Sequence, residues 1–273
     1  MLGVVSIDLI ALDLDGTLLD PHEQVSQANR LAIAAALAEG VRVVLVTGRG
    51  VEAPSQIARD LELPLPVICC HGALTKDIQT GRTIGHIPIP AQHAKPMLEY
   101  AEIRGIDVAV YLEERFYRVT GARRYMSDMH GPEWRDVASF RDLPHVAPTF
   151  LRFLGNKAVE AVRTTFADLP LHFKFETWGE FEECAVTSRD ATKKHALENL
   201  CKTYGVARER VLAIGDSRND VPMLRWAGIG VAMANAQPDV RKTVGRVTAG
   251  NSDDGVARAI ERYVLEPLRE RSA

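Results

Sequence analysis

A chain of 273 residues, 46% apolar, 25% charged and 6% aromatic, can bury a sizeable core in one large domain or two smaller ones. Its net charge of -3 at pH 7 excludes the electrostatic footprint of a nucleic-acid or anionic-membrane binder, and no apolar run approaches the roughly 20 residues that a membrane helix requires. Four cysteines without CxxC spacing (Cys69, Cys70, Cys184, Cys201) suit a reducing compartment, and the absence of a basic signal-peptide start makes the cytoplasm the expected location.

Val4 to Leu14 is dense in Val, Ile and Leu, as a parallel strand covered on both faces must be. Ser26 then caps an expected helix from Gln27 to Glu39, with Gly40 at its stop, and Val41 to Val46 reads as a second buried strand. A helix over about Val51 to Leu61 and a strand over Val67 to Cys70 complete a βαβαβ pattern, which predicts a doubly wound parallel sheet. After an expected hairpin, Ala73 to Ile87, the rhythm changes to antiparallel-style strands at Val108 to Leu112, Phe116 to Thr120, Phe150 to Leu154, Leu171 to Thr177 and Glu182 to Val186. Helices near Ala91 to Arg104 and Lys157 to Phe166 interleave with them. The α/β rhythm resumes with helix Lys193 to Tyr204, strand Val211 to Ile214, helix Asn219 to Ala227, strand Ile229 to Ala232 and a closing helix from about Asp253 to Leu265. The expected organisation is therefore an α/β core formed by residues 1–84 and 188–273, with an α+β domain over 85–187 inserted into it. Residues 84 to 186 hold 12 basic and 15 acidic side chains, so the insert is not a basic nucleic-acid arm.

In an open parallel sheet, ligands bind beyond the carboxyl ends of the strands, and Asp13, Thr47 and Asp216 all fall there. Asp13 is the candidate nucleophile, because a carboxylate that accepts a phosphoryl group divides one difficult displacement into two easier ones. Two residues on, Asp15 can protonate the leaving oxygen and deprotonate the attacking water. Asp13, Asp216 and a backbone carbonyl are oxygen ligands of the kind Mg²⁺ takes, with Asp220 at or just behind them. The Thr47 hydroxyl, the backbone at Gly48 and the Lys193 ammonium offer donors and charge to a phosphate. Singly, each segment has a plainer explanation: DxDGT as a solvated turn, Gly-Asp-Ser-Arg-Asn-Asp as a helix-capping turn, Lys193 as a solvated helix residue. Their combination points to a metal-assisted phosphoryl site.

In this order, Asp13-Leu14-Asp15-Gly16-Thr17, Thr47-Gly48-Arg49, Lys193 before Ala196-Leu197, and Gly215-Asp216-Ser217-Arg218-Asn219-Asp220 resemble the four motifs of the haloacid dehalogenase superfamily. The position of the insert, with Ala232 to Ala236 and Thr248 to Ala257, is similar to the Cof-type subgroup. The resemblance implies a Rossmann-like core with an α+β cap, and a Mg²⁺-dependent phosphatase acting on small phosphomonoesters through an aspartyl-phosphate. The implied substrates are sugar phosphates, phosphorylated cofactors or nucleotides. Asp13 would be nucleophile and Asp15 acid/base. Thr47, Gly48, Arg49, Lys193 and Asn219 would surround the phosphate, and Asp13, Asp15 (through its carbonyl), Asp216 and Asp220 the Mg²⁺.

Two departures stand out. His71-Gly72-Ala73 replaces the usual Asn-Gly-Ala, so that His71 is either a substrate contact or a ring bonded to backbone. Lys193-Lys194 replaces the usual Lys-Gly, and its distance from Ala196-Leu197 favours Lys193 as the phosphate ligand. A phosphomutase using the same intermediate, or a non-catalytic sensor of a phosphorylated metabolite, are the alternatives. A nicotinamide dehydrogenase is disfavoured because no GxGxxG opens the first helix, and eight histidines without an HxH or HxxxH pair argue against zinc. Cys69 and Cys70 read as small apolar packing residues. Arg115, Arg118, Arg123 and Arg124 read as a solvated face, and Trp134, Trp178 and Trp226 as packing. The expected partner is a small phosphorylated metabolite, with no nucleic acid or membrane, and the expected state a monomer or small homo-oligomer.

Overall fold

The computed structural model describes residues 6–119, 134–143 and 147–272, with the side chains of Trp178 and Ser272 outside that description. The chain begins with β1 (Leu9–Leu12), α1 (Gln27–Ala38), β2 (Arg42–Leu45), α2 (Glu52–Asp60), β3 (Val67–Cys69), β4 (Leu74–Lys76) and β5 (Thr83–His86). It continues through α3 (Ala91–Arg104), β6 (Val108–Leu112), β7 (Arg115–Val119), β8 (Trp134–Val137), β9 (Phe150–Leu154), α4 (Asn156–Ala161), β10 (Leu171–Trp178) and β11 (Phe181–Ser188). The final stretch comprises α5 (Lys193–Tyr204), β12 (Val211–Gly215), α6 (Val221–Trp226), β13 (Ile229–Ala232), α7 (Pro238–Val244), α8 (Gly255–Ile260) and α9 (Glu266–Ser272). Single π-helical stretches extend α4 over Val162–Phe166 and join α8 to α9 over Glu261–Leu265.

Two compact units emerge. One comprises Met1–Arg49, Pro54–Ile84 and Thr192–Ala273, the other Gly50–Ala53 and Gly85–Ala191. The first unit holds a parallel sheet in the order β13-β12-β1-β2. All four β1 residues are fully buried, which explains why this strand is an unbroken apolar run rather than an alternating one. On one face Leu9, Ala11, Val44, Val211 and Ala213 pack with Ala196, Leu197, Leu200 and Cys201 of α5 and Met223 and Leu224 of α6. Ser26 caps α1 as its sequence predicts, its hydroxyl accepting from the Asn29 N–H.

Register decides what gathers at the carboxyl edge. Leu12 stands opposite Ile214 on one side and Leu45 on the other, and β1 lies where the chain switches direction across the sheet. That is the crevice in which ligands bind in doubly wound folds. The expected third core strand differs in kind. β3 joins the parallel sheet by one bridge, Val46 to Ile68, and spends its ladder on β4 in an antiparallel sheet ordered β3-β4-β5.

The second unit is a six-stranded sheet, β10-β11-β9-β6-β7-β8, with Val108, Val110, Leu151, Phe153 and Val186 packed against Ala94, Met97, Leu98 and Ala101 of α3 and Val159 of α4. Its pairings are antiparallel except β7 with β8, which are parallel. That strand and α7 are absent from the sequence reading. β8 is short and polar at its centre, Trp-Arg-Asp-Val, and α7 has only seven residues, announced by Pro238 near its start. Among the described residues no helix is long and apolar enough to cross a membrane.

Candidate active site

Asp13 follows β1 directly and is 3% exposed, its N–H bonded to the Ile214 carbonyl at 3.1 Å. Lys193, the first residue of α5, is equally buried and donates to Asp13 Oδ1 at 2.5 Å and Asp220 Oδ1 at 2.6 Å. The helix start that places it is fixed by Thr192, whose hydroxyl accepts from the His195 N–H at 3.1 Å. Lys194, by contrast, turns to Glu198 on the helix surface at 2.5 Å.

Asp220 is wholly buried, and its second oxygen takes three donors: Asp216 N–H at 3.2 Å, Ser217 N–H at 3.0 Å and the Ser217 hydroxyl at 2.8 Å. It thereby shapes the turn after β12 that carries Asp216. Thr17 spans the two motifs, its hydroxyl 3.1 Å from Asp13 Oδ2 and 3.3 Å from Asp216 Oδ1. Gly16, at φ +75°, lets the chain leave this point, and a Cβ there would stand 2.4 Å from Asp216 Oδ2.

The electrostatics follow from three carboxylates sharing one ammonium. Burial raises the Asp13 carboxyl well above its ordinary range, the Asp220 charge adds to this, and Lys193 only partly offsets it. Asp216 is pushed up to about 6, again by burial first and the charge of Asp220 second. For Lys193, burial works against the charge, but Asp13 and Asp220 outweigh it and hold the ammonium above the usual lysine value. Carboxylate oxygens of Asp13, Asp216 and Asp220 lie within 4.8 Å of one another, close enough for a divalent cation to be held among them. Buried, hard oxygen donors short of positive charge fit such an ion.

Other expected residues are placed differently. The Asp15 side chain is 53% exposed and turned onto Arg49, whose Nε lies 3.0 and 3.1 Å from its two oxygens and whose Nη2 also reaches Glu23 at 3.0 Å. It stands apart from the three-carboxylate group. Thr47 is buried, with its hydroxyl accepting from the Arg49 N–H at 3.1 Å, and α2 begins at Glu52, so Thr47-Gly48 is a turn of its own rather than a helix start. Asn219 Nδ2 lies 3.3 Å from Nδ1 of His71, which is itself buried. Arg118 pairs with Asp136 at 2.6 Å over the Trp134 ring, while Arg123 and Arg124 lie outside the described residues. All four cysteines are buried thiols outside any disulfide.

Sequence reasoning from single residues missed a bracing pair. Asn235 Nδ2 donates to the Gly16 carbonyl and Asn251 Nδ2 to the Leu19 carbonyl, both at 2.8 Å, and the Asn251 N–H donates to Asn235 Oδ1 at 3.0 Å. These amides tie the loop after β1 to the loop after β13. The available signal was the pair of late segments that resemble the Cof-type subgroup, one containing each asparagine.

The family model described as haloacid dehalogenase-like hydrolase matches residues 10–260. The chain belongs to the haloacid dehalogenase-like hydrolases. This hydrolase is 30% identical to phosphatase YwpJ of Bacillus subtilis, over 94% of this chain and 99% of that protein. It is 29% identical to the 5-amino-6-(5-phospho-D-ribitylamino)uracil phosphatase YcsE of the same organism, over 96% and 97%. A haloacid dehalogenase-like hydrolase from Bacteroides thetaiotaomicron superimposes with a TM-score of 0.81 at 25% identity, covering 94% of this chain and 99% of that one. Near-complete coverage in both directions extends the kinship to the insert as well as the core, in keeping with the Cof-type subgroup.

Proposed function

We propose that this hydrolase is a Mg²⁺-dependent phosphatase of small phosphomonoesters, working through a phosphoryl-aspartate at Asp13. The observation that carries the reading is the buried Asp13 carboxylate at the end of the central strand, 2.5 Å from the Lys193 ammonium and grouped with Asp216. An Asp13 oxygen attacks phosphorus, the ester P–O bond breaks, and the leaving alkoxide takes a proton from Asp15. Water then attacks the same phosphorus, Asp15 recovers the proton, and the acyl phosphate bond breaks to return Asp13 as a carboxylate. Asp15 must leave its Arg49 pairing to do this, so Arg49 serves as its resting partner and as a phosphate ligand in turn. Lys193, Thr47, the backbone at Gly48 and Asn219 bind and orient the phosphoryl oxygens.

Asp13 and Asp216, with the Asp15 carbonyl, would hold the metal directly, while Asp220, already engaged by Lys193 and three donors, keeps Asp216 and Lys193 in place. When bound, the cation supplies the positive charge that lets carboxylates and phosphate share the site. The insert serves as cap, and the substrate class is that of small phosphorylated metabolites, as the names of the relatives suggest. Such hydrolysis is asked for accelerations up to ~10²¹-fold, more than any one contact provides. The test is phosphate release from a panel of sugar phosphates, nucleotides and phosphorylated cofactors, with Mg²⁺ and with EDTA. We expect metal-dependent release that Asp13→Asn reduces by at least about 10³-fold. Near-native turnover by that variant, or an isomerised ester without phosphate release, contradicts the reading.

A further inference from the structure

Cys70, His71 and Gly72 take three successive positive φ values, 52°, 57° and 98°. Left-handed backbone is unfavourable for residues with a Cβ, and persists only where the surroundings over-determine it. Here they do. The Cys70 N–H donates to the Arg49 carbonyl at 2.8 Å and the His71 N–H to the Thr47 carbonyl at 3.0 Å. On the other side, a Cβ on Gly72 would stand 2.3 Å from the Thr192 carbonyl, so the turn abuts the start of α5 and with it Lys193. The strained tripeptide is wedged between the two segments that supply Thr47 and Lys193.

The His71 side chain reaches a third. Its ring fills the space beside Gly48, where any Cβ would stand 2.2 Å from ring carbon Cε1, and its Nδ1 lies 3.3 Å from Asn219 Nδ2. The Asn219 carboxamide carries both a donor and an acceptor, and the imidazole nitrogen facing it takes the complementary role, so one hydrogen bond joins the two segments.

We propose that His71 is a positioning residue of the phosphoryl pocket: by hydrogen-bonding Asn219 and closing over Gly48, it holds Thr47, Gly48 and Asn219 in one anion-binding arrangement. The proposal rests on the phosphatase reading above for the identity of the anion. It explains the residue type on two counts. The site needs a hydrogen-bonding group at the Nδ1 position, and it needs a side chain tolerated at positive φ. Asparagine meets both requirements, because its carboxamide can place Oδ1 or Nδ2 where Nδ1 stands and it visits the left-handed region more readily than most residues. Alanine meets neither, and glutamine places its oxygen one methylene too far.

The experiment is calorimetric titration of inorganic phosphate into the Mg²⁺-loaded full chain, which needs no turnover, together with KM and kcat for p-nitrophenyl phosphate. Loss of one hydrogen bond that orders the pocket predicts a phosphate Kd raised about threefold to tenfold in His71→Ala. KM should rise in parallel and kcat change less. His71→Asn recovers most of the affinity and His71→Gln does not, a contrast that stands even if the alanine variant fails to fold. Asn219→Ala weakens phosphate to a similar degree, and the double variant with His71→Ala is little worse than either single one. Unchanged phosphate affinity in His71→Ala, full multiplicativity in the double variant, or equal behaviour of the Asn and Gln variants overturns the proposal. Failure of the phosphatase reading would show separately, as turnover by Asp13→Asn.

Discussion

At Asp216 the charge imbalance of the site becomes measurable. Its carboxyl is pushed up to about 6 in the folded chain, against ~3.9 for a free aspartate, by burial and then by the charge of Asp220. The folded state therefore holds this proton more tightly than the unfolded state. The stabilisation it brings is complete below about pH 4 and is lost as pH rises through about 6. A divalent cation replaces the proton, so its own stabilising effect must grow over the same interval. We expect the Tm in EDTA to fall between pH 4.5 and 7, with a smaller fall in Asp216→Asn, and the Mg²⁺-induced rise in Tm to be larger at pH 7 than at pH 5. An identical pH profile in the variant, or a Mg²⁺ effect independent of pH, contradicts this. Asp13, Lys193, Asp216 and Asp220 were legible from sequence because each abuts a strand end or helix start with a bounding glycine or cap. The Asp15–Arg49 pairing was not, since it depends on which way two side chains turn after their positions are set.

Elements carry the site by close approach, and glycine is where that shows. Gly16 and Gly81 both have φ above +70°, but a Cβ on Gly81 meets nothing within 4 Å whereas one on Gly16 meets Asp216 at 2.4 Å. Gly81→Ala thus reports backbone strain alone, about 1 kcal/mol. Gly16→Ala adds a clash with a candidate metal ligand and should cost about 2–4 kcal/mol in denaturant unfolding, together with at least a tenfold weaker Mg²⁺ affinity. Equal losses for the two variants would show that the approach has slack. Long periodic elements, α3 and α5, and the buried strands β6, β9 and β13 coincide with their expected spans, because periodicity and caps agree there. β8 and α7 escaped because four polar-centred residues and seven helical ones offer too little pattern. β3 stands where the third core strand was expected, joined to the parallel sheet through Val46 and Ile68, but an apolar run does not say that its ladder will go to β4.

Across the whole molecule, the chain order of βαβ units and an insert was legible because the switch from parallel to antiparallel rhythm changes composition as well as period. The inner sheet order β13-β12-β1-β2 follows from right-handed crossovers around the first strand, and this order brings motifs 200 residues apart to one edge. The parallel β7–β8 pair depends on long-range packing that no local pattern encodes, and the bridge from Asn235 and Asn251 showed only in the two late segments that resemble the Cof-type subgroup. Family kinship extends over 94–96% of the chain, and the proposed chemistry reduces to one covalent event. Acid-quenched mass spectrometry during Mg²⁺-dependent turnover of a hydrolysed phosphomonoester tests it most directly. We expect a hydroxylamine-labile phosphoryl group on Asp13, absent with EDTA and in Asp13→Asn. A phosphoryl group on another residue, or sustained turnover by the Asp13→Asn variant, would contradict it.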